Sequence, residues 1–143
     1  VIGTNPNNIE AYVIGEHGEG QIPLFSKINV NGNSLELEKK EKDKVNGLLK
    51  DVGRFIIERK GATDFGPAYL TAYMNESILF DKKEVIPCSF VLDGEYGQKD
   101  VSIGVPVVLS RRGGEVVQWE LDEEEKKSFY QTSEKLKTFL NNL

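Results

Sequence analysis

The stretch V-I-G-E-H-G-E-G-Q-I-P, Val13 to Pro23, carries His17, the one histidine of the chain. An imidazole titrates near pH 6.5 when unperturbed, so it can take or give a proton at neutral pH. His17 follows an apolar, strand-like run and stands among glycines, which let a backbone approach a ligand closely. A loop at the end of a strand is where scaffolds often carry a catalytic group. The competing reading is a solvated histidine in a turn. A histidine base needs a carboxylate on its far ring nitrogen to fix the tautomer and stabilise the cation. Glu10, Glu16 and Glu19 are near in sequence. None has a geometric case, since Glu16 is adjacent and points elsewhere if the strand persists.

Other chemistry finds little support. The glycines of D-G-E-Y-G-Q-K-D and R-R-G-G-E-V fit neither the G-x-G-x-x-G fingerprint nor a P-loop, so no nucleotide phosphate site is expected. Cys88 is the one cysteine, set in V-I-P-C-S-F-V-L, and reads as a small core residue. It can form no internal disulfide and no cysteine-built zinc site. With a single histidine, no metal site is expected, and the acids of D-E-E-E-K-K read as helix capping rather than calcium ligands.

These residues must be held by a fold. A chain of 143 residues fits one domain, and 38% hydrophobic with 29% charged residues suits a packed core under a charged exterior. The net charge of −5 argues against a nucleic-acid partner. No apolar run approaches a membrane span and no signal pattern opens the chain, so a cytoplasmic protein is expected. Residues 9–14 read as a strand ending at Gly15, followed by a loop over G-E-H-G-E-G-Q-I-P. L-F-S-K-I-N-V-N-G holds a short strand closed by the turn signal Asn31-Gly32.

From about Asp43 to Lys60 the period becomes helical. Val45, Leu48, Leu49, Val52, Phe55 and Ile56 share one face. A second helix is expected over Phe65–Phe80, with Thr63 or Asp64 as N-cap and Pro67 in its first turn. Leu70, Tyr73, Met74, Ser77 and Ile78 mark its inward side. Val85–Gly94 and Asp100–Ser110 read as strands, the first confined to an edge or bulge by Pro87. R-R-G-G turns the chain into E-V-V-Q-W-E-L. Asp122 and Glu125 form a capping box for a long last helix, with Phe129, Leu136, Phe139 and Leu140 near one face. The order is strands, two consecutive helices, antiparallel strands and a C-terminal helix, which is the α+β class.

Four motifs in sequence, V-I-G-E-H-G, E-R-K-G-A-T-D-F-G-P-A, D-G-E-Y-G-Q-K-D-V-S-I-G-V-P-V-V-L and the acid-capped last helix, resemble the carboxy-terminal half of the lactate/malate dehydrogenase superfamily. The K-G-A-T-D-F-G-P-A version is most similar to archaeal-type malate dehydrogenases. The resemblance implies a single C-terminal substrate domain over residues 1–143, which in the family follows a Rossmann domain. It implies hydride transfer between a small 2-hydroxy or 2-keto acid and NAD or NADP. It assigns His17 as the proton acceptor, Thr63 to a place beside the substrate and Pro67 to a place near the nicotinamide. It also implies a homo-oligomeric parent enzyme.

Two departures from the family pattern matter. No cofactor domain is expected within residues 1–143, and V-I-G-T resembles the strand end that leaves that domain. The helix opening L-D-S-x-R is also missing, N-P-N-N bridging directly to I-E-A-Y-V-I-G-E-H-G. In the family its aspartate orients the histidine and its arginine grips the substrate carboxylate. H-G-E-G-Q-I-P also stands where H-G-D-S is common. The chain therefore reads as a piece of a longer one, expected to bind no cofactor by itself and to be inactive alone. The alternative is a degenerate, non-catalytic module kept for assembly or ligand binding.

Overall fold

The computed structural model describes residues 3–142. The reading of V-I-G-T as a strand end rests partly on Val1 and Ile2, which lie outside the described residues. The elements run β1 (Ile9–Glu10), β2 (Val13–Gly15), β3 (Gln21–Pro23), β4 (Asn29–Val30), β5 (Asn33–Ser34), α1 (Lys39–Lys60), α2 (Phe65–Leu79), β6 (Glu84–Asp93), β7 (Lys99–Ser110), β8 (Gly113–Val116) and α3 (Glu123–Leu140). This is the α+β arrangement expected, with consecutive helices and a long C-terminal one. Among the described residues, no helix is long and apolar enough to cross a membrane.

The main sheet has the order β3-β2-β7-β6, with β8 on β7, all antiparallel. β6 and β7 form its spine. Inward positions alternate along both: Ile86 and Leu92 on β6, and Val101, Ile103, Val105, Val107 and Leu109 on β7, are buried. Their register sets Pro87 opposite Pro106. Neither proline has an N–H, so this pair cannot exchange ladder bonds. Pro106 instead turns its carbonyl outward, where it accepts from Val117 N. Pro87 stands on the edge strand, as its chemistry requires.

One face of this sheet is covered by α2 and α3. Tyr73, Met74 and Ile78 of α2 and Phe129 and Leu136 of α3 join the core. The start of α3 is fixed as its sequence suggests. Asp122 Oδ1 accepts from Glu125 N at 2.8 Å, and Glu125 Oε2 accepts from Asp122 N at 3.0 Å. Glu125 is buried, and it also accepts from Ser26 N at 3.0 Å and Ser26 Oγ at 2.7 Å. The carboxylate thus ties the segment after β3 to α3. Asp122→Ala is expected to cost about 1 kcal/mol of stability, read as a lower urea midpoint at unchanged slope.

Several expectations need correction. The strand expected over 9–14 is two, because the chain crosses at Ala11–Tyr12 from a small sheet of β1, β4 and β5 to the main one. The expected loop G-E-H-G-E-G-Q-I-P contains β3, whose Ile22 faces the core opposite Ile14. α1 starts four residues earlier than Asp43, with Glu41 Oε2 accepting from Glu38 N at 3.0 Å. An i, i+3 acid pair serves there without a hydroxyl cap. α2 ends at Leu79, and the Asp64 at its N-cap makes no side-chain bond. The strand after Gly113 stops at Val116, because Tyr96 Oη donates to Val117 O and accepts from Trp119 N. Phe139, Leu140 and Leu70 are exposed rather than inward.

The largest departure concerns α1. No residue of its apolar face is buried, and Leu48, Val52 and Phe55 are about half exposed. The helix stands across an open cleft from the sheet rather than on it.

Candidate active site

β2 and β3 form a hairpin whose connection, Glu16 to Gly20, carries His17. Gly15 ends β2 at φ +93°, a conformation open chiefly to glycine. A Cβ there would overlap Gly20 O, so the loop can close only on a bare Cα. The closure bond runs from Glu16 N to Gly20 O at 3.2 Å. Gly15 also pairs with Gly104 of β7, where a Cβ on Gly104 would stand 2.7 Å from Gly15 O. The two glycines let β2 press against the spine, and so set where the loop leaves the sheet.

His17 is exposed and lines a cleft of about 610 Å³. Its floor is the hairpin and the outer face of β6 and β7, with Pro87, Ser89 and Ser102. Its far wall is α1, with Leu49, Lys50, Val52 and Gly53. Ser89 and Ser102 share a hydrogen bond of 2.9 Å between their hydroxyls. Cys88 also lines the cleft, half-buried, and burial pushes its thiol above the ordinary value. It is therefore a poorer nucleophile than a free thiol at the same pH. No carboxylate makes a hydrogen bond to His17 among the described residues.

Thr63 and Pro67 do not line this cleft. They lie in a second one of about 270 Å³, where α1 ends and α2 begins, beside Phe55, Ile56, Arg59 and Phe65. The two clefts share α1. Val52 lines the first, while Phe55 and Ile56, its i+3 and i+4 neighbours on the same helical face, line the second. The two clefts are lined by successive stretches of α1. Lys50, Ser89, Ser102 and Gln21 also line the first cleft and escaped the sequence reading. The alternation of β6 gives Ser89 as outward, but nothing local shows that a helix stands opposite it.

The family profile described as lactate/malate dehydrogenase, alpha/beta C-terminal domain, matches residues 1–143. The chain belongs to the lactate/malate dehydrogenase family. It is 47% identical over 130 residues to a malate dehydrogenase of Natronomonas pharaonis, covering 90% of this chain and 43% of that protein. It is 40% identical over 144 residues to an L-lactate dehydrogenase of Bacillus caldotenax, covering 94% and 45%. The malate dehydrogenase of Archaeoglobus fulgidus, solved in complex with NADH, superposes with a TM-score of 0.84 at 34% identity, covering 95% of this chain and 45% of that one. The chain thus spans less than half the length of these lactate/malate dehydrogenase relatives.

Proposed function

We propose that residues 1–143 form the substrate-binding, catalytic domain of a nicotinamide-dependent 2-hydroxy-acid dehydrogenase, of malate or lactate type, in which His17 is the proton acceptor. The observation that carries this reading is the exposed, single histidine on a glycine-closed hairpin lining the larger of these two clefts. The neutral imidazole takes the hydroxyl proton of the 2-hydroxy acid through an unprotonated ring nitrogen. NAD or NADP, when bound, would supply the hydride acceptor for that acid. The described residues suit only the nicotinamide end of such a group. Pro67 offers exposed apolar surface at the start of α2, whereas no strand–glycine–helix cradle for the phosphates is present among them. Thr63, beside it, supplies a hydroxyl for a polar end of the substrate. Successive clefts along α1 suit a substrate held between the base and the nicotinamide. The protein's part is then orientation and proton transfer, the hydride chemistry being the cofactor's. The domain would act beside a Rossmann domain and in a homo-oligomer.

Two arms test this. The chain alone, given NAD and malate, is expected to form no NADH. Turnover by the chain alone, abolished by His17→Ala, would overturn that expectation. The chain exchanged for the matching region of the Natronomonas pharaonis malate dehydrogenase is expected to restore NADH formation with malate or lactate. A folded chimera that binds NADH yet turns over neither acid would reject the dehydrogenase reading.

A further inference from the structure

Glu16 adjoins His17, but its side chain turns back beneath the loop. Its Oε2 is buried and has no hydrogen-bond partner. The loop crosses over it. A Cβ on Gly20 would stand 2.8 Å from that oxygen and 2.7 Å from the Thr132 methyl, and a Cβ on Gly18 would stand 3.7 Å from Oε1. Gly20 therefore closes tightly on the carboxylate and on Thr132 of α3, while Gly18 stands at ordinary contact distance. Lys135 of α3 places its ammonium 4.0 Å from Oε2. A carboxylate oxygen withdrawn from water without a hydrogen bond is unfavourable unless a charge compensates it. Lys135, with an exposed side chain, is the cation set against it. The charged residue lining the cleft on α1 is Lys50, and the loop's other acid is Glu19, which is exposed.

We propose that Glu16 is the positioning residue for His17: docked under Gly18 and Gly20 and held by Lys135, it fixes the loop so that the imidazole faces the cleft. This rests on reading His17 as the proton acceptor. Glu16 acts through the loop backbone, not on substrate. The approach also explains the glycine at position 20, where a Cβ would strike the carboxylate and the Thr132 methyl.

His17 is the one histidine, so the full chain labelled with 13Cε1-histidine gives one unambiguous ring signal. In the unaltered chain at fixed pH that signal is expected to be a single narrow line. Glu16→Ala is expected to broaden or split it and to speed exchange of the residue-16 amide, which donates to Gly20 O, about tenfold. Lys135→Met, at an exposed position, is expected to speed that exchange about threefold. The double variant should exchange no faster than Glu16→Ala, and Lys135→Arg should restore the native rate. An unchanged ring line and unchanged exchange in a folded Glu16→Ala chain would overturn the proposal. If Glu16→Ala does not fold, equal exchange in Lys135→Met and Lys135→Arg would overturn it instead. None of these readouts depends on turnover, so a chimera inactive toward malate and lactate would reject the dehydrogenase reading separately.

Discussion

His17→Gln in the active chimera is expected to lower kcat/KM for the 2-hydroxy acid about 10²–10⁴-fold, the range typical of losing a positioned general base. That corresponds to about 3–5 kcal/mol of transition-state stabilisation. Glutamine keeps a polar side chain of similar reach but cannot take a proton. The other cleft groups offer no substitute. The Cys88 thiol is pushed up by burial, which disfavours the thiolate. The Ser89 and Ser102 hydroxyls are engaged with one another. The deficit should fall on kcat, since the proton moves only in the transition state, while KM for the acid and the affinity for NADH stay within a few-fold. Steady-state kinetics with an NADH-binding titration measure both. A kcat/KM within tenfold of the parent chimera would remove His17 from the reaction.

What the sequence made legible follows from where the physics is local. The α3 start needed only Asp122 and Glu125, whose bonds close within one helical turn. Pro87 could be confined to an edge because its missing N–H is a property of one residue. The Asn31-Gly32 turn closes β4 on β5, with both residues at positive φ, as that dipeptide permits. The motifs around His17 and Thr63 were likewise readable from their order along the chain. The misread parts depend on partners distant in sequence. β3 is only three residues long and is a strand because β2 and the core hold it, with Leu24 N bonding Tyr12 O beyond it. The Tyr96 hydroxyl ends β8 from 21 residues away.

α1 shows the limit of periodicity. Its spacing correctly gives a helix with one apolar face, but spacing says nothing about what lies opposite. That face lines two clefts instead of entering the core. The same limit separates Thr63 from His17. The sequence motifs suggest one site, whereas the fold sets them in neighbouring stretches along α1, joined by the turn from Val52 to Ile56.

Gly15→Ala is expected to destabilise the chain by about 3 kcal/mol or more and to detach the His17 loop from its native path. Two costs add at this position. The backbone sits at φ +93°, which a side-chain-bearing residue rarely adopts, and the new methyl would overlap a backbone oxygen, Gly20 O. A backbone atom cannot swing aside as a flexible side chain could. Relief requires the hairpin to open, which breaks the Glu16 N to Gly20 O bond, or β2 to lift from β7, which parts Gly15 from Gly104. Gly104→Ala provides the control that separates the two routes. Its methyl would meet Gly15 O at 2.7 Å without a positive φ, so it strains only the β2–β7 approach. Urea denaturation should therefore rank Gly15→Ala as the more damaging. The His17 ring line should broaden in Gly15→Ala beyond what Gly104→Ala produces at matched fraction folded. Equal stabilities, or a native ring line in Gly15→Ala, would mean that the hairpin closure does not govern where His17 stands.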